Sequence, residues 1–285
     1  MKKLIMVPYA NIESMRGGVN IKDQQRVDIY LKNCCVSLLS AKHYNQDCDV
    51  ALVTNIEIPD EYGKVLREKG IMIIKAEFDA FKFPDEYKWG LAFYKLCALK
   101  HILDNYDYDL FSYIDTDVYI QSNFDNIWQE CRHNLLLYDI NHGLQVNDYK
   151  LFLRDIKSFL NSDKTITQFG GEFLAGSKEN CELFIEECHR IYMEMIDKGF
   201  TTSFGDEFII SQAADKNRSL VKNAGAYVFR YWTGTFRLVS TCYKFNPITV
   251  IHVPGEKKSG MVKIYDYYIK NKQLPTNEKY IQFYI

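Results

Sequence analysis

The chain has 285 residues, 47% of them apolar and 15% aromatic, so it is long enough to bury a substantial core. A formal net charge of −2 provides no global field for nucleic acid, and no apolar run approaches the roughly 20 residues of a membrane span. Eight cysteines form no C-x-x-C pair, which favours unpaired thiols in a reducing compartment. We therefore expect a cytoplasmic protein that binds no nucleic acid.

The first part of the chain alternates short apolar runs with helical spacings. The apolar runs predict strands at residues 4–7, 50–54 and 71–74, with Pro8 ending the first. Helices are predicted at 24–43 and 59–69, and residues 11–23 form a loop. This alternation predicts an α/β fold, with a mostly parallel sheet and helices on its faces.

The rest of the chain continues the same pattern. A helix at 89–105 leads into an apolar strand at 110–120. Further strands are predicted at 135–138, 169–176 and 248–252, and further helices at 148–160, 177–198 and 206–214. No internal repeat, low-complexity tract or linker interrupts the sequence, so we predict one domain over residues 1–285.

Two carboxylates one residue apart, Asp115 and Asp117, lie in the strand predicted at 110–120. Side chains two apart on a strand point to the same face, so both can bind one cation. In open α/β sheets, ligands bind beyond the carboxyl ends of the strands. Aspartate is also common in turns, so the pair alone does not decide between a metal site and a solvated turn.

A second motif follows the last predicted strand. The run His252-x-x-Gly255-x-x-Lys258 resembles the C-terminal motif of family 8 glycosyltransferases, which have the GT-A fold. The resemblance implies that His252 completes a metal site with Asp115 and Asp117. It also implies that Gly255 and Lys258 contact the diphosphate of a nucleotide-sugar donor.

Two earlier segments resemble donor-binding parts of related enzymes. Lys95 resembles the cation that contacts the nucleotide sugar, and it lies on the predicted helix before the Asp-x-Asp strand. Residues 169–176 resemble the Gly-rich aromatic strand of family 6 glycosyltransferases. The resemblance implies that Gly170 and Gly171 lie against the donor, and adjacent glycines in a strand also indicate a close approach of backbone or ligand.

The catalytic and acceptor residues are predicted from the same comparison. Asp206-Glu207 resembles the Asp-Glu pair of family 6, whose Glu lies under the anomeric carbon of the donor, where family 8 has Gln. Glu207 is alternatively an acid favoured in the first turn of a helix. Glu172 and Asp139 are candidates for acceptor binding, although a turn is the slightly better interpretation of Asp139.

The resemblance covers roughly residues 90–260 and departs from family 8 in two places. The first strand ends Val7-Pro8-Tyr9-Ala10 instead of in the family's Ala-Asp-Asp-x-x-Tyr form. Tyr9 is a candidate for stacking on the nucleotide base, or alternatively a core residue. The Pro-Trp that usually follows the motif lysine is also missing.

We therefore expect a metal-dependent GT-A glycosyltransferase that moves a hexose from a nucleotide sugar, UDP-linked by preference, to a glycan or lipid-linked acceptor. Retention of the anomeric configuration is implied by the family resemblance alone. Mixed oxygen and imidazole ligands favour Mn²⁺ over Mg²⁺. Residues 1–120 would form the nucleotide-sugar half and 121–262 the acceptor and catalytic half. The alternatives are an inverting GT-A transferase, a phosphatase of the haloacid dehalogenase type and a non-catalytic sugar-binding protein.

The C-terminal tail, residues 263–285, is rich in tyrosine and contains several lysines. Such a segment can rest on the inner face of a membrane that holds a lipid-linked acceptor. It can equally pack on the domain, and we prefer packing because the segment has no clear helical periodicity.

Overall fold

The computed structural model describes residues 1–15, 21, 25–141, 147–231 and 248–275, which form two β-sheets surrounded by helices. The strands are β1 (Lys3–Tyr9), β2 (Asp49–Thr54), β3 (Met72–Lys75), β4 (Leu110–Ile114), β5 (Val118–Ile120), β6 (Leu135–Asp139), β7 (Phe169–Ser177), β8 (Val221–Asn223), β9 (Val228–Arg230) and β10 (Val250–His252). The helices are α1 (Arg26–Tyr44), α2 (Asp60–Arg67), α3 (Tyr94–Asn105), α4 (Asp125–Cys131), α5 (Asn147–Leu160), α6 (Lys178–Asp197), α7 (Asp206–Lys216) and α8 (Gly260–Asn271). Short 3₁₀ turns lie at Gly90–Phe93, Ala224–Ala226 and Pro254–Glu256.

The larger sheet has seven strands in the order β3-β2-β1-β4-β7-β6-β8. Its strands are parallel except at β7, which runs antiparallel to both β4 and β6. The prediction of an α/β fold with a mostly parallel sheet is therefore confirmed. The smaller sheet, with the order β5-β10-β9, was not predicted as a separate unit.

Helices cover both faces of the larger sheet, and its central strands are therefore buried throughout. One apolar core lies between the sheet and α1, α2, α4 and α8, and it includes the smaller sheet. A second core lies on the opposite face, where α3, α5, α6 and α7 pack. Seven cysteines are buried and free within the described ranges, as expected, whereas Cys242 lies outside them.

The prediction that Pro8 ends the first strand is wrong, because β1 continues to Tyr9. β4 pairs with β1 from Lys3 to Met6, and beyond that point β1 pairs with β2, where Pro8 lies opposite Val53. At Pro8 the strand therefore has a neighbour on one side, and there a missing backbone N–H is tolerated.

The prediction of a single strand at 110–120 is also wrong, because the chain leaves the larger sheet after Ile114 and enters the smaller sheet at Val118. The hydroxyl of Ser37 on α1 lies 2.6 Å from the carbonyl oxygens of Thr116 and Val118 and accepts a bond from the Val118 N–H at 3.2 Å. A side chain thus replaces a neighbouring strand as the backbone's partner. Asp115 and Asp117 therefore lie on a turn between two sheets.

The C-terminal segment begins inside α8, so the preference for packing on the domain holds for its first part. Tyr265 and Tyr268 are buried in the first core, and the Tyr265 ring lies 5.8 Å from that of Tyr62 on α2. Residues 276–285 lie outside the described part of the chain. Across the described ranges, no helix combines the length and apolar character that a membrane crossing requires.

Candidate active site and metal centre

The two predicted metal-binding motifs come together at the junction of the two sheets. Asp115 and Asp117 lie on the turn after β4, and His252 is the last residue of β10. β10 pairs antiparallel with β5, which places His252 opposite Val118. One potential ligand atom from each of the three side chains lies within 4.8 Å of the other two. The register of the smaller sheet therefore unites residues that are far apart in the sequence.

Asp117 is the most deeply buried of the three, with no solvent exposure. Its Oδ2 lies 3.1 Å from Nε2 of His252 and forms an ion pair with Nζ of Lys257. Burial alone would raise the pKa of the Asp117 carboxyl, but Lys257 and His252 outweigh burial and hold the pKa well below its usual range. Asp117 is therefore charged at neutral pH.

His252 lies between two carboxylates. Its Nε2 faces Asp117, and its Nδ1 lies 3.4 Å from Oε1 of Glu172 on β7. Burial would lower the pKa of the imidazole, but Asp117 and Glu172 outweigh burial and raise it. A carboxylate on the far ring nitrogen is the usual outer partner of a metal-binding histidine, since it fixes the orientation of the ring. Glu172 can therefore orient His252.

Arg230, the last residue of β9, was not predicted as a site residue. It donates two hydrogen bonds to Glu172, at 2.8 and 2.7 Å, and lies 3.2 Å from Oε1 of Glu207. β9 pairs parallel with β10, so Arg230 lies beside His252. Burial would raise the pKa of the Glu172 carboxyl, but Arg230 and His252 lower it below its usual range. A single arginine in a three-residue strand carries no sequence motif by which it could have been found.

The predicted catalytic pair opens α7, as expected. Glu207 accepts a hydrogen bond from Nε2 of Gln168 at 3.0 Å in addition to its contact with Arg230. Asp206 forms an ion pair of 2.9 Å with Lys95 on α3. Burial raises the pKa of both carboxyls above their usual values despite these cationic neighbours.

Lys95 connects this pair to the Asp-x-Asp turn. Its Nζ lies 2.9 Å from Asp206 and 3.7 Å from Asp115. Burial would lower the pKa of the Lys95 ammonium, but Asp206 and Asp115 outweigh burial and raise it. Lys95 therefore carries its charge into the region between the turn and α7.

Two of the three glycines of β7, Gly170 and Gly171, are required by these charged neighbours. A Cβ on Gly170 would lie 1.8 Å from Oε2 of Glu172, and a Cβ on Gly171 would lie 2.2 Å from Oδ2 of Asp206. The predicted close approach thus occurs against the protein's own ion pairs. Donor binding by Gly170 and Gly171 stays a prediction.

A cleft of about 360 Å³ opens beside these groups. Six of the predicted site residues line it: Tyr9, Lys95, Asp115, Asp206, Glu207 and His252. Arginine, lysine and aromatic side chains that were not predicted also line it, namely Arg26, Tyr30, Trp89, Phe204, Arg230 and Lys257. The cleft therefore joins an anionic centre to basic and aromatic walls.

Other predicted residues lie away from the cleft. Asp139 accepts a hydrogen bond from the N–H of Asn141 at 2.9 Å, as a turn residue does. Glu172 is buried, with its carboxylate directed at Arg230 and His252. Acceptor binding by these two residues stays a prediction.

The structure places Lys257 in the site, where the motif spacing had selected Lys258. Lys257 is buried and lines the cleft, whereas Lys258 and Gly255 are exposed and lie outside the lining. Both lysines are visible in the sequence, but the spacing of the motif favours the second. Contact of Gly255 and Lys258 with a donor stays a prediction.

The charges of the site fit a divalent cation. Five carboxylates meet at the junction of the two sheets, where three basic side chains lie among them. The carboxylates are Asp115, Asp117, Glu172, Asp206 and Glu207, and the bases are Lys95, Arg230 and Lys257. Carboxylate oxygens and one imidazole nitrogen are ligands that can bind Mn²⁺ or Mg²⁺, and the imidazole favours Mn²⁺.

The architecture is similar to that of a solved enzyme. The galactosyltransferase LgtC, in complex with donor and acceptor sugar analogues, matches with a TM-score of 0.58 and 14% identity, over 99% of this chain and 95% of that chain. No protein-family model matches the sequence, and no curated protein does. The likeness shows the fold: the chain has the GT-A, Rossmann-like fold that its resemblance to family 8 predicted.

Proposed function

We propose that the protein is a metal-dependent glycosyltransferase that uses a nucleotide-sugar donor. One observation carries the proposal: Asp115, Asp117 and His252 converge beside a cleft in a chain with the fold of a galactosyltransferase. The order of the four sequence motifs supports the same conclusion.

In this proposal Asp115, Asp117 and His252 hold Mn²⁺ or Mg²⁺. A divalent cation there would act as a Lewis acid and neutralise the diphosphate that leaves the sugar. Glu172 would keep Nε2 of His252 directed at the site through its contact with Nδ1. Burial of the metal-binding side chains would keep water from competing with the metal ion for the carboxylates.

We infer a UDP-linked hexose as the donor. Tyr9, Tyr30 and Arg26 line one part of the cleft, and their two stacked rings and cation suit a nucleotide base and a phosphate. Lys95, between Asp115 and Asp206, is placed to donate hydrogen bonds to the sugar or the phosphate. The choice of uridine and of a hexose rests on the resemblance to family 8.

Glu207 is the proposed catalytic carboxylate. The contacts with Arg230 and Gln168 fix its orientation, and the cleft is open to it. In a retaining transfer it would stabilise or attack the anomeric carbon as positive charge develops there. The raised pKa of Glu207 favours a second candidate, in which the carboxylate removes the acceptor's proton in an inverting transfer.

A glycan or glycolipid is the proposed acceptor, as in polysaccharide biosynthesis. Trp89 and Phe204 present aromatic surfaces to the cleft, and such surfaces suit a sugar ring. A phosphatase of the haloacid dehalogenase type has less support, because that family has the motif on its first strand, whereas here the Asp-x-Asp turn follows the fourth strand, β4.

A panel of nucleotide sugars, incubated with and without Mn²⁺, tests the proposal. We expect slow, Mn²⁺-dependent release of nucleoside diphosphate from one donor, and faster release when the correct acceptor is added. NMR of the transferred or released sugar then distinguishes retention from inversion. Donor binding without release in any mixture would favour a non-catalytic sugar-binding protein.

A further inference from the structure

We propose that Lys257 is an internal cation that occupies the Asp117 carboxylate until a donor diphosphate draws its ammonium away. The metal ion and the nucleotide would then bind cooperatively, because each favours the same displacement of Lys257. This inference rests on the proposed function and concerns how that site is regulated.

Lys257 and the proposed metal use the same oxygen. Oδ2 of Asp117 pairs with Nζ of Lys257 and also faces Nε2 of His252 at 3.1 Å. A metal bound to that oxygen would lie close to the ammonium, since both cations would contact the same atom. Two like charges cannot share so small and buried a space, since repulsion at contact distance is strong away from water.

The backbone around Lys257 is fixed, so movement is restricted to the side chain. The Lys257 carbonyl accepts a hydrogen bond of 2.9 Å from Nδ2 of Asn33, a fully buried residue of α1. Four residues earlier, the N–H of Val253 donates to the carbonyl of Asp117 at 3.0 Å. Two anchors therefore hold this segment against α1 and the Asp-x-Asp turn.

The side chain itself has somewhere to move. Lys257 lines the cleft, and a lysine carries its charge on a flexible four-carbon stem. Rotation of that stem would transfer the ammonium from Asp117 to an anion in the cleft. A diphosphate there would compensate the lost ion pair, because a lysine binds phosphate as a point charge.

The charges predict the direction of the coupling. Without a nucleotide, Lys257 neutralises part of the anionic site and competes with the metal ion for Asp117. With a diphosphate in the cleft, Lys257 is held elsewhere and the full anionic charge is available to the metal. The coupling is reciprocal, so the metal must tighten nucleotide binding by the same factor.

Titration of Mn²⁺, followed by the EPR signal of the free ion, tests the inference without an activity measurement. The full chain is compared with Lys257→Met, which keeps the length of the stem but not the charge. Lys257→Arg keeps the charge, and Lys258→Met changes the neighbouring lysine. Each protein is titrated with and without UDP, and thermal melting verifies that each is folded.

We expect UDP to tighten Mn²⁺ binding to the unmodified protein at least tenfold. Lys257→Met should bind Mn²⁺ alone at least tenfold more tightly than the unmodified protein, and UDP should tighten Mn²⁺ binding to this variant by a smaller factor, because only the direct attraction between metal and diphosphate remains. Lys257→Arg and Lys258→Met should both keep the weak affinity for Mn²⁺ alone. Equal affinity of Lys257→Met and the unmodified protein for Mn²⁺ alone would overturn the inference and leave the proposed function standing. Absence of Mn²⁺ binding in every protein, with and without UDP, would overturn the proposed metal site itself.

Discussion

The two sheets differ in the length of their strands and in the site residues that they carry. The larger sheet is built from strands with nearly continuous apolar burial, such as β1 and β4, and it holds the two cores. The strands of the smaller sheet have three residues each, yet they bring Arg230 and His252 to the Asp-x-Asp turn. Substitutions in the two sheets should therefore differ in their effect on turnover.

The largest effect is expected at the turn between the sheets. Asp117→Asn keeps the size of the side chain but removes a charged ligand, so Mn²⁺-stimulated turnover should fall by at least roughly 1,000-fold, or about 4 kcal/mol. His252→Ala should act in the same way. Melting curves with and without Mn²⁺ should show stabilisation in the parent and little in either variant. Equal stabilisation in all three proteins would contradict the assignment.

Arg230→Met tests whether the smaller sheet depends on its ion pair. The substitution leaves the Glu172 carboxylate, which is fully buried, without its bidentate partner, and breaking such a pair costs about 3–5 kcal/mol. Urea denaturation measures the change in the free energy of unfolding. The double variant Arg230→Met/Glu172→Gln should recover part of the loss, because the unpaired charge is gone. A change below about 1 kcal/mol in the single variant would show that solvent reaches Glu172.

Leu52→Ala is the matched test of the larger sheet. Leu52 is fully buried on β2 and belongs to the first core, so truncation should cost about 2–5 kcal/mol in the free energy of unfolding. Turnover per folded molecule should stay at the parental value, because the residue lies outside the cleft lining. A large loss of turnover below the melting transition would contradict the expected difference between the two sheets.

Glu207→Gln should give the smallest of the four effects. In the proposed reaction the charge of Glu207 would matter most as the bond between sugar and phosphate breaks, so turnover should fall roughly 10- to 100-fold while donor affinity changes little. Steady-state kinetics and a donor titration measure the two quantities. Near-parental turnover with a slightly lower melting temperature would instead identify Glu207 as an acid that stabilises the first turn of α7.

The difference between the two sheets also explains which parts of the structure could be predicted from the sequence. Long apolar runs predicted the strands and helices of the larger sheet, because burial on both faces leaves a clear pattern. The three-residue strands β8 and β9 are too short to show any period, so Arg230 was missed. His252 was found through a motif resemblance, since its spacing from Gly255 and Lys258 is local.

The choice between Lys257 and Lys258 shows a different limit. A motif is defined by the spacing of residues along the chain, whereas the direction of a side chain depends on the contacts that hold its segment in place. Here Asn33, on the first helix of the chain, binds the Lys257 carbonyl. No reading of residues 252–258 alone contains that contact.

The position of β10 has a consequence for how the protein is made. β10 pairs with β5 and β9, and both partners precede it by long stretches of chain. Non-local pairings of this kind form slowly, because the intervening loop must first be closed. During synthesis the larger sheet can begin to assemble while the ribosome is still adding residues. The centre that holds Asp117, His252 and Lys257 can form only after residue 257 has emerged, so products truncated before β10 would lack it.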